Sequence, residues 1–202
     1  MSKIEAVEPT KFTGTPAAMR RRERAVDAFI DLVLEHQTPP TIEDVVARAG
    51  ISKATFFRYF ETLGDLRFEA LRRLVERYPE HTVSDVGGGP LRDRIERLVS
   101  ARLAWWEKTH PLALLQRRMV LTDAPALQMI DFTRKETLRQ IRAHFATELA
   151  QRSPAWGDDV SALIATIISV ESWDQFRNTF GRSPQQTRRA WVQSIEALFA
   201  GD

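Results

Sequence analysis

Apolar side chains recur at helical spacing along most of the chain, and no segment shows the alternating pattern of a half-buried strand. One clear example is an apolar face with members at i, i+3, i+4 and i+7: Ile42, Val45, Val46 and Ala49. The pattern predicts an all-α fold of about nine helices. Their expected positions are about 18–36, 42–49, 52–59, 62–78, 91–108, 111–121, 123–152, 160–180 and 183–199.

The segment from Thr41 to Phe60 predicts two short helices joined by a tight turn. Thr41 and Asp44 have the spacing of a capping box, which marks the start of the first helix. Gly50 can adopt the positive φ that ends a helix, and Ser52 is placed to cap the next one. Helix, glycine turn and helix is the helix-turn-helix layout, whose second helix enters the major groove of DNA.

Turn-forming residues divide the chain into an arm and two domains. Residues 1–17 show little periodicity and are expected to form a flexible arm. The sequence PEHTVSDVGGGP, at 79–90, is the clearest linker, because three consecutive glycines are costly inside any regular element. We therefore predict a helix-turn-helix domain at 18–80, including a linking fourth helix, and a larger helical domain at 90–202.

Composition limits the classes of protein to which the chain can belong. With 202 residues it can bury a substantial core, and without cysteine it can form neither disulfides nor thiolate metal sites. No run approaches the roughly 20 apolar residues that span a bilayer, and the N-terminus lacks the apolar core of a secretory signal. We expect a cytoplasmic protein with no membrane partner, no metal and no cofactor.

Charge is distributed unevenly, although the net charge is only +2 and the 18–80 domain holds equal numbers of basic and acidic residues. Two basic groups stand out: Arg20, Arg21, Arg22 and Arg24 in the first helix, and Arg48, Lys53 and Arg58 in the helix-turn-helix. The second group contains the only charges between Asp44 and Glu61. Beside a helix-turn-helix, such residues favour phosphate contacts, with a solvated helix surface as the alternative.

The stretch TIEDVVARAGISKATFFRYFETLGDL, from Thr41 to Leu66, resembles the TetR family of bacterial transcriptional regulators. Family members typically carry an Ala-Gly-Val-Ser turn followed by Lys-Gly-Thr-Leu-Tyr, and the corresponding stretch here runs from Ala49 to Phe60. A three-helix N-terminal unit, a linking fourth helix and a larger helical C-terminal half are also typical of the family. The C-terminal half is similar only in helix count and order.

The resemblance implies a DNA-binding face centred on the second helix of the motif. Its expected members are Arg20, Arg21, Arg22, Thr41, Ser52, Lys53, Ala54, Thr55, Phe57, Arg58 and Tyr59. Lys53 and Tyr59 suit phosphate anchoring, and Thr55 can contact a base edge or a thymine methyl. Phe57 replaces the usual tyrosine of the family and Leu63 its usual lysine, so operator binding is expected to be weaker or more dependent on base contacts.

Aromatic and methionine side chains of the C-terminal half are compatible with a pocket for an apolar or amphipathic effector. The candidate lining residues are Trp105, Trp106, Met119, Met129, Phe132 and Trp173. Basic residues that could receive an anionic head group are His110, Arg117, Arg118, Arg134 and Arg139. Ordinary core packing is the alternative for the aromatic residues, and surface exposure is the alternative for Arg117, Arg118 and Arg134.

The last two helices are expected to form a homodimer interface, because members of the family pair these helices into a four-helix bundle. The stretch VSALIATIISV, at 160–170, is apolar almost all round, which is more than one helix of a small monomer needs. A two-fold dimer would present its recognition helices about 34 Å apart to a near-palindromic operator. The implied function is a repressor of transcription that a small-molecule effector releases from double-stranded DNA.

Two other functions stay open. A helical protein-interaction module with a degenerate helix-turn-helix would account for Phe57 and Leu63. An enzyme has little support, because the histidines are scattered and no nucleophile motif stands out. Glu171 and Asp174, at i and i+3 on an apolar helix, could form a buried acid pair, although a polar spot in an interface is favoured. We expect no enzymatic activity and no catalytic residue.

Overall fold

The computed structural model describes residues 13–77, 86–119 and 124–200. These residues form ten α-helices and contain no strand, so the predicted all-α fold is confirmed. The helices are α1 (Pro16–His36), α2 (Ile42–Ala49), α3 (Lys53–Tyr59), α4 (Leu63–Arg77), α5 (Leu91–Met119), α6 (Ala124–His144), α7 (Ala146–Leu149), α8 (Pro154–Ile167), α9 (Val170–Asp174) and α10 (Pro184–Ala200). A π-helical turn, Gln175–Thr179, follows α9.

The chain divides into two compact units, each made of two stretches of sequence. The first unit comprises Met1–Pro79 and Pro111–Ile130, and the second comprises Glu80–His110 and Asp131–Asp202. Helix α5 therefore contributes residues to both units. Most of the predicted arm and of the predicted linker, at 1–12 and 78–85, lies outside the described residues.

Helix α1 is the central element of the first unit and contacts α2, α3 and α4. Its buried side chains follow the apolar stripe of the sequence: Ala25, Phe29, Leu32 and Val33. His36, which continues that stripe in the sequence, is exposed and lies 3.9 Å from Glu35. The helix ends there, because Gln37 adopts a left-handed backbone conformation and donates its N–H to the Val33 carbonyl oxygen.

Three ion pairs join α1 to α4. Between a guanidinium nitrogen and a carboxylate oxygen, the distance is 3.2 Å for Arg22 and Glu69, 3.4 Å for Arg73 and Asp27, and 2.7 Å for Arg77 and Asp31. Residue numbers rise together along both helices, so α1 and α4 run in the same direction. The row of pairs fixes the register of the two helices alongside their apolar contacts.

The second unit has its own core, made from the first part of α5 together with α6 to α10. Its largest fully buried side chains are Ile95, Leu98, Ile141, Phe145, Ile164, Ile168 and Trp191. Phe145 interrupts the helix that the sequence predicts over 123–152, because its backbone leaves the helical region at φ −116° and ψ 24°. The single predicted helix is therefore α6 followed by the short α7.

Helix α5 runs through Pro111, where the sequence predicted a break between two helices. A proline in a helix interior costs about 3 kcal/mol, since it lacks an N–H and its ring crowds the preceding turn. The preceding turn also carries side-chain contacts to its carbonyl groups: the Thr109 hydroxyl donates to the Trp105 carbonyl oxygen at 2.9 Å, and His110 Nδ1 lies 3.0 Å from the Trp106 carbonyl oxygen. Burial of Trp105 and Leu112, each worth roughly 1.5–3 kcal/mol, is large enough to offset the cost.

Helix α8 begins earlier than its apolar run suggests. Ser153 Oγ accepts a hydrogen bond from the Trp156 N–H at 3.3 Å, and Pro154 occupies the first turn. These are serine-cap and N1-proline signals. Gly157, predicted to lie in a loop, is inside the helix, where a Cβ would come within 3.5 Å of the Leu149 carbonyl oxygen. That separation is an ordinary van der Waals distance, so the structure gives no steric reason for a glycine at this position.

A second serine cap divides the predicted 160–180 helix. Ser169 Oγ accepts from the Ser172 N–H at 3.1 Å, which ends α8 and starts α9. The final helix was predicted correctly, since Ser183 and Gln186 form a reciprocal capping box with bonds of 2.8 and 3.2 Å. Hydroxyl caps therefore set the helix limits of the second unit more strongly than its apolar runs do.

Candidate nucleic-acid interface

The turn between α2 and α3 is built around Gly50, whose φ is +65°. The Ile51 N–H donates to the Val46 carbonyl oxygen at 3.1 Å, and the Gly50 N–H donates to the Ala47 carbonyl oxygen at 3.4 Å. These two bonds form a Schellman motif, which satisfies the last carbonyl groups of α2. The motif turns the chain sharply, so only three residues separate the end of α2 from the start of α3.

The start of α2 is fixed by a reciprocal capping box. The Thr41 N–H donates to Asp44 Oδ2 at 2.9 Å, and the Asp44 N–H donates to Thr41 Oγ1 at 3.2 Å. The hydrogen bonds from the Thr41 hydroxyl and then from its N–H lower the pKa of the Asp44 carboxyl. Thr41 is exposed, so its position at a helix N-terminus stays accessible to an anion.

Helix α3 begins with Ser52, whose Oγ accepts from the Thr55 N–H at 3.1 Å and donates to Thr55 Oγ1 at 3.0 Å. Its inner side carries an aromatic cluster. The Phe56 ring is fully buried, 5.4 Å from the Phe60 ring, and the Tyr59 ring lies 6.5 Å from that of Phe60. The cap and the cluster together hold a seven-residue helix, which would be too short to persist alone in water.

The outer side of α3 is formed by residues at i, i+1, i+4 and i+5. Its exposed members are Lys53, Ala54, Phe57 and Arg58, and Thr55 is half-buried beside them. Phe57 is 53% exposed, which is unusual for a phenylalanine. The face contains two cations and no acidic residue, and its remaining side chains are small or apolar.

Lys53 has a partner that sequence reasoning missed. Its ammonium group forms an exposed ion pair with Glu43 of α2. The hydrogen bond from Lys53 lowers the pKa of the Glu43 carboxyl. Glu43 lies ten residues earlier in the chain, and only the Schellman turn between the helices brings the two side chains together. A phosphate approaching Lys53 therefore competes with a carboxylate.

Two predicted members of the DNA-binding face, Tyr59 and Arg22, are not part of the outer face of α3. Tyr59 is only 6% exposed, and Arg58 Nη2 lies 3.4 Å from its hydroxyl oxygen. Arg22 forms two hydrogen-bonded contacts with Glu69, at 3.3 and 3.2 Å, and its guanidinium lies 5.0 Å from the centre of the Phe60 ring. Both residues hold the first unit together, whereas Arg20 and Arg21 are exposed.

The predicted effector-binding residues fall in both units. Met129 belongs to the first, and Trp105, Trp106, Phe132 and Trp173 belong to the second. The side chain of Met119 lies outside the described set. Trp105 and Trp106 have ring centres 6.3 Å apart, and Trp173 stacks on His110 at 4.2 Å. Trp106 donates its indole N–H to the Ile168 carbonyl oxygen at 2.8 Å, which is also the behaviour of a satisfied core residue.

Several predicted charged candidates of the second unit are engaged with each other or with neighbours. Arg134 lies 2.9 Å from Glu171, so Glu171 does not form a buried acid pair with Asp174. Asp174 accepts instead from the Asn178 side-chain amide at 2.7 Å. Arg139 binds a carboxylate one turn earlier on α6. These interactions leave no pair of free carboxylates on α9.

The overall fold matches solved structures of bacterial transcriptional regulators. A TetR-family regulator from Streptomyces coelicolor superposes with a TM-score of 0.75 and 20% identity, covering 93% of this chain and 82% of that one. A transcriptional regulator from Rhodococcus sp. Rha1 gives 0.74 and 18%, covering 89% and 96%. One from Aquifex aeolicus VF5 gives 0.58 and 14%, covering 88% and 99%. The predicted resemblance to the TetR family is confirmed at the level of the fold.

No protein-family model and no curated protein sequence matches the chain. In the part of the chain that the structure describes, no helix is both long enough and apolar enough to cross a membrane.

Proposed function

We propose that the chain is a TetR-like regulator that binds double-stranded DNA through α3 and represses transcription. The observation that carries this proposal is the outer face of α3, which is capped at its start, supported by a buried aromatic cluster and free of acidic residues. A basic and neutral face on the second helix of a helix-turn-helix is suited to the major groove.

Each exposed side chain of α3 has a suitable contact on DNA. Lys53 can bind a phosphate, and Arg58 can bind either a phosphate or the acceptor edge of guanine. Ala54 permits close approach of the helix backbone. Thr55 and Phe57 can contact thymine methyl groups, which give sequence preference without hydrogen bonds. Specificity would then depend on Thr55 and Phe57, together with Arg58 where that residue contacts a guanine.

Phosphate contacts around this face would come from neighbouring helices. Arg20 and Arg21 are exposed near the start of α1, and Thr41 and Ser52 cap helix N-termini, where the helix dipole attracts anions. In this proposal, the exposed residues of the predicted set contact DNA directly. Arg22 and Tyr59 contribute indirectly, by stabilising the first unit.

Two-fold assembly would be made through α8 and α10. The outer side of α8 carries Ala162, Leu163 and Thr166, and Leu163 is 48% exposed. Small residues around a large apolar one suit close helix packing between two copies. Ser161 and Ile195 are fully buried within their own unit, so in this proposal they lie behind the interface rather than in it.

A small apolar or amphipathic molecule bound in the second unit would weaken DNA binding by favouring a different spacing of the two recognition helices. Coupling of about 1–3 kcal/mol corresponds to a roughly 5- to 150-fold loss of affinity. If no effector tried changes operator affinity, the sensing part of the proposal fails while DNA binding stands.

Selection of duplexes from a random library, followed by anisotropy titrations at several salt concentrations, tests the proposal. We expect enrichment of an inverted repeat whose binding has a steep salt slope. Lys53→Met should reduce that slope by about one, since one phosphate contact is lost. Lys135→Met, at an exposed position of α6, is the matched control and should leave the slope unchanged. Enrichment of no sequence would refute the proposal.

A protein-interaction module is the second candidate, favoured by the exposure of Phe57. An exposed aromatic ring on a short, rigid helix is typical of protein interfaces as well as of DNA-binding faces. Phe57→Ala separates the two. In a DNA-binding protein it should relax preference for thymine-containing operators, whereas loss of a protein partner with unchanged duplex selection would favour the interaction module.

A further inference from the structure

Arg102 is a buried arginine on the apolar side of α5. Only 6% of it is exposed, and the residues around it on that side, Leu98, Val99 and Leu103, are all buried. Arginine is rarely buried to this extent unless it is paired, because removal of its charge from water is costly. The sequence analysis did not identify Arg102, although an arginine among the apolar residues between Leu98 and Leu103 is a feature that the sequence itself contains.

The partners of Arg102 are neutral. Its Nη2 donates to Thr137 Oγ1 at 3.3 Å and to Gln140 Oε1 at 3.2 Å, and its buried Nε has no acceptor. Burial lowers the pKa of the Arg102 guanidinium to about 10, so the group remains charged near neutral pH. The charge is therefore held in the interior without an anion to balance it.

Other arginines of the second unit differ from Arg102 in this respect. Seven of them lie within 3.0 Å of a carboxylate oxygen: Arg92, Arg94, Arg134, Arg139, Arg142, Arg177 and Arg188. All seven are at least partly exposed. Each of these arginines thus has a carboxylate partner, whereas the buried Arg102 has neutral hydrogen-bond acceptors only.

We propose that Arg102 binds the carboxylate of a small organic acid and that this acid is the effector. The claim that the acid is an effector rests on the proposed function, whereas the claim that Arg102 binds a carboxylate does not. A single interior cation is balanced by one negative charge, whereas a dianionic phosphate would leave an uncompensated charge in the same place. The apolar neighbours of Arg102 on α5 suit an apolar body for the acid.

Two residues of α6 position the guanidinium for this role. Thr137 and Gln140 occupy Nη2, which leaves the N–H of Nε to donate to an incoming oxygen. The Gln140 side-chain amide itself donates to Glu136 Oε1 at 3.1 Å, which turns its carbonyl oxygen toward Arg102. Glu136 is in turn bound by Arg139, so its charge is already balanced at the surface.

Thermal unfolding with carboxylate probes tests the proposal. The probes are linear monocarboxylates from acetate to hexadecanoate, together with benzoate, each below its micelle-forming concentration and each matched with its neutral amide. We expect at least one acid to raise Tm progressively with concentration and its amide to have no effect. The five tryptophans, all in the second unit, provide an independent fluorescence readout of binding.

Arg102→Met and Arg142→Met form a matched pair of variants, since Arg142 pairs with Asp158 and contacts none of the residues that position Arg102. The first should abolish the rise in Tm and, without ligand, should be at least as stable as the wild type, because it removes an unbalanced buried charge. The second removes an exposed arginine of α6 and should keep the response. A clear drop in the ligand-free Tm of Arg102→Met would identify a purely structural arginine and overturn the proposal.

The outcome is separable from that of the proposed function. A probe panel that leaves the wild-type Tm unchanged, with an inverted repeat still enriched by the protein, would overturn the carboxylate site alone. If carboxylate binding requires Arg102 but no duplex is enriched, the carboxylate site is supported and the proposed function as a DNA-binding regulator is rejected. Binding of an acid that also lowers operator affinity supports both.

Discussion

Replacement of Gly50 by alanine isolates the energetic contribution of the turn between α2 and α3. Gly50 has a φ of +65°, and a Cβ added there would meet no atom within 4 Å. The substitution therefore adds no clash, and its cost is the backbone strain of an L-residue in the left-handed region, about 1–2 kcal/mol. For a chain of this size, each kcal/mol lowers Tm by about 2–4 °C.

Thermal and urea unfolding followed by circular dichroism measures this effect, and two other variants make it specific. Gly50→Asn should cost less than Gly50→Ala, because asparagine tolerates the left-handed region. Gly88→Ala is the control, since Gly88 lacks a positive φ and its added Cβ would also have open space. We expect Gly88→Ala to be neutral or slightly stabilising.

In Gly50→Ala, the free energy of DNA binding should decrease by more than the free energy of unfolding, because the turn sets the direction of α3 relative to α2. A Gly50→Ala protein with unchanged Tm and unchanged operator affinity would refute the reasoning. Equal destabilisation by Gly50→Ala and Gly50→Asn would also refute it, since it would show that side-chain size rather than φ determines the cost.

Three further predictions concern caps and charge. Glu43→Gln should tighten duplex binding several-fold, because it frees Lys53 and removes an anion beside the phosphate; anisotropy titrations check this. Asp44→Asn should be less stable than the wild type above pH 4. This difference in stability should shrink as the pH falls below the ordinary Asp pKa of 3.8, because a carboxyl with a lowered pKa contributes stability only while it is ionised. Unfolding titrations between pH 3 and 6 measure the difference. Ser183→Ala should lose about 1 kcal/mol of stability by removing the α10 cap, whereas Ser194→Ala should be neutral in the same urea titration.

The helix-turn-helix could be predicted in detail because its determinants are local. The capping box at Thr41, the left-handed Gly50 and the cap at Ser52 each depend on residues within a few positions in the sequence. Local signals of this kind agree with the apolar spacing of the same segment. Agreement between the two levels explains why the predicted and observed limits of α2 and α3 differ by at most one residue.

The second unit was harder to predict because local signals and tertiary packing disagree there. Pro111 is a strong local break, yet α5 continues through it on the strength of buried neighbours. Ser169 has the opposite effect, since it divides an apolar run that looked like one helix. In both places the sequence contains the relevant residue, but its weight depends on contacts with distant parts of the chain.

The same limit applies to side chains of the candidate interface. Arg22 and Tyr59 lie at positions that suit DNA contact by spacing, but each is drawn inward by a partner on another helix or by an aromatic cluster. Arg102 shows the reverse case, because spacing places it in a core where a charge is unexpected. Periodicity predicts which side of a helix a residue occupies, but not which charged groups meet there.

Ion pairs of the first unit engage several of its acidic residues, including one beside α3. Asp27, Asp31 and Glu69 bind arginines between α1 and α4. Among the described ion pairs, the one that involves a basic residue of α3 joins Lys53 to Glu43. When a phosphate replaces Glu43, one ion pair is exchanged for another, and the Coulombic gain is small. Affinity must then come from released counterions and from base contacts, so we expect sequence preference to contribute an unusually large share of it.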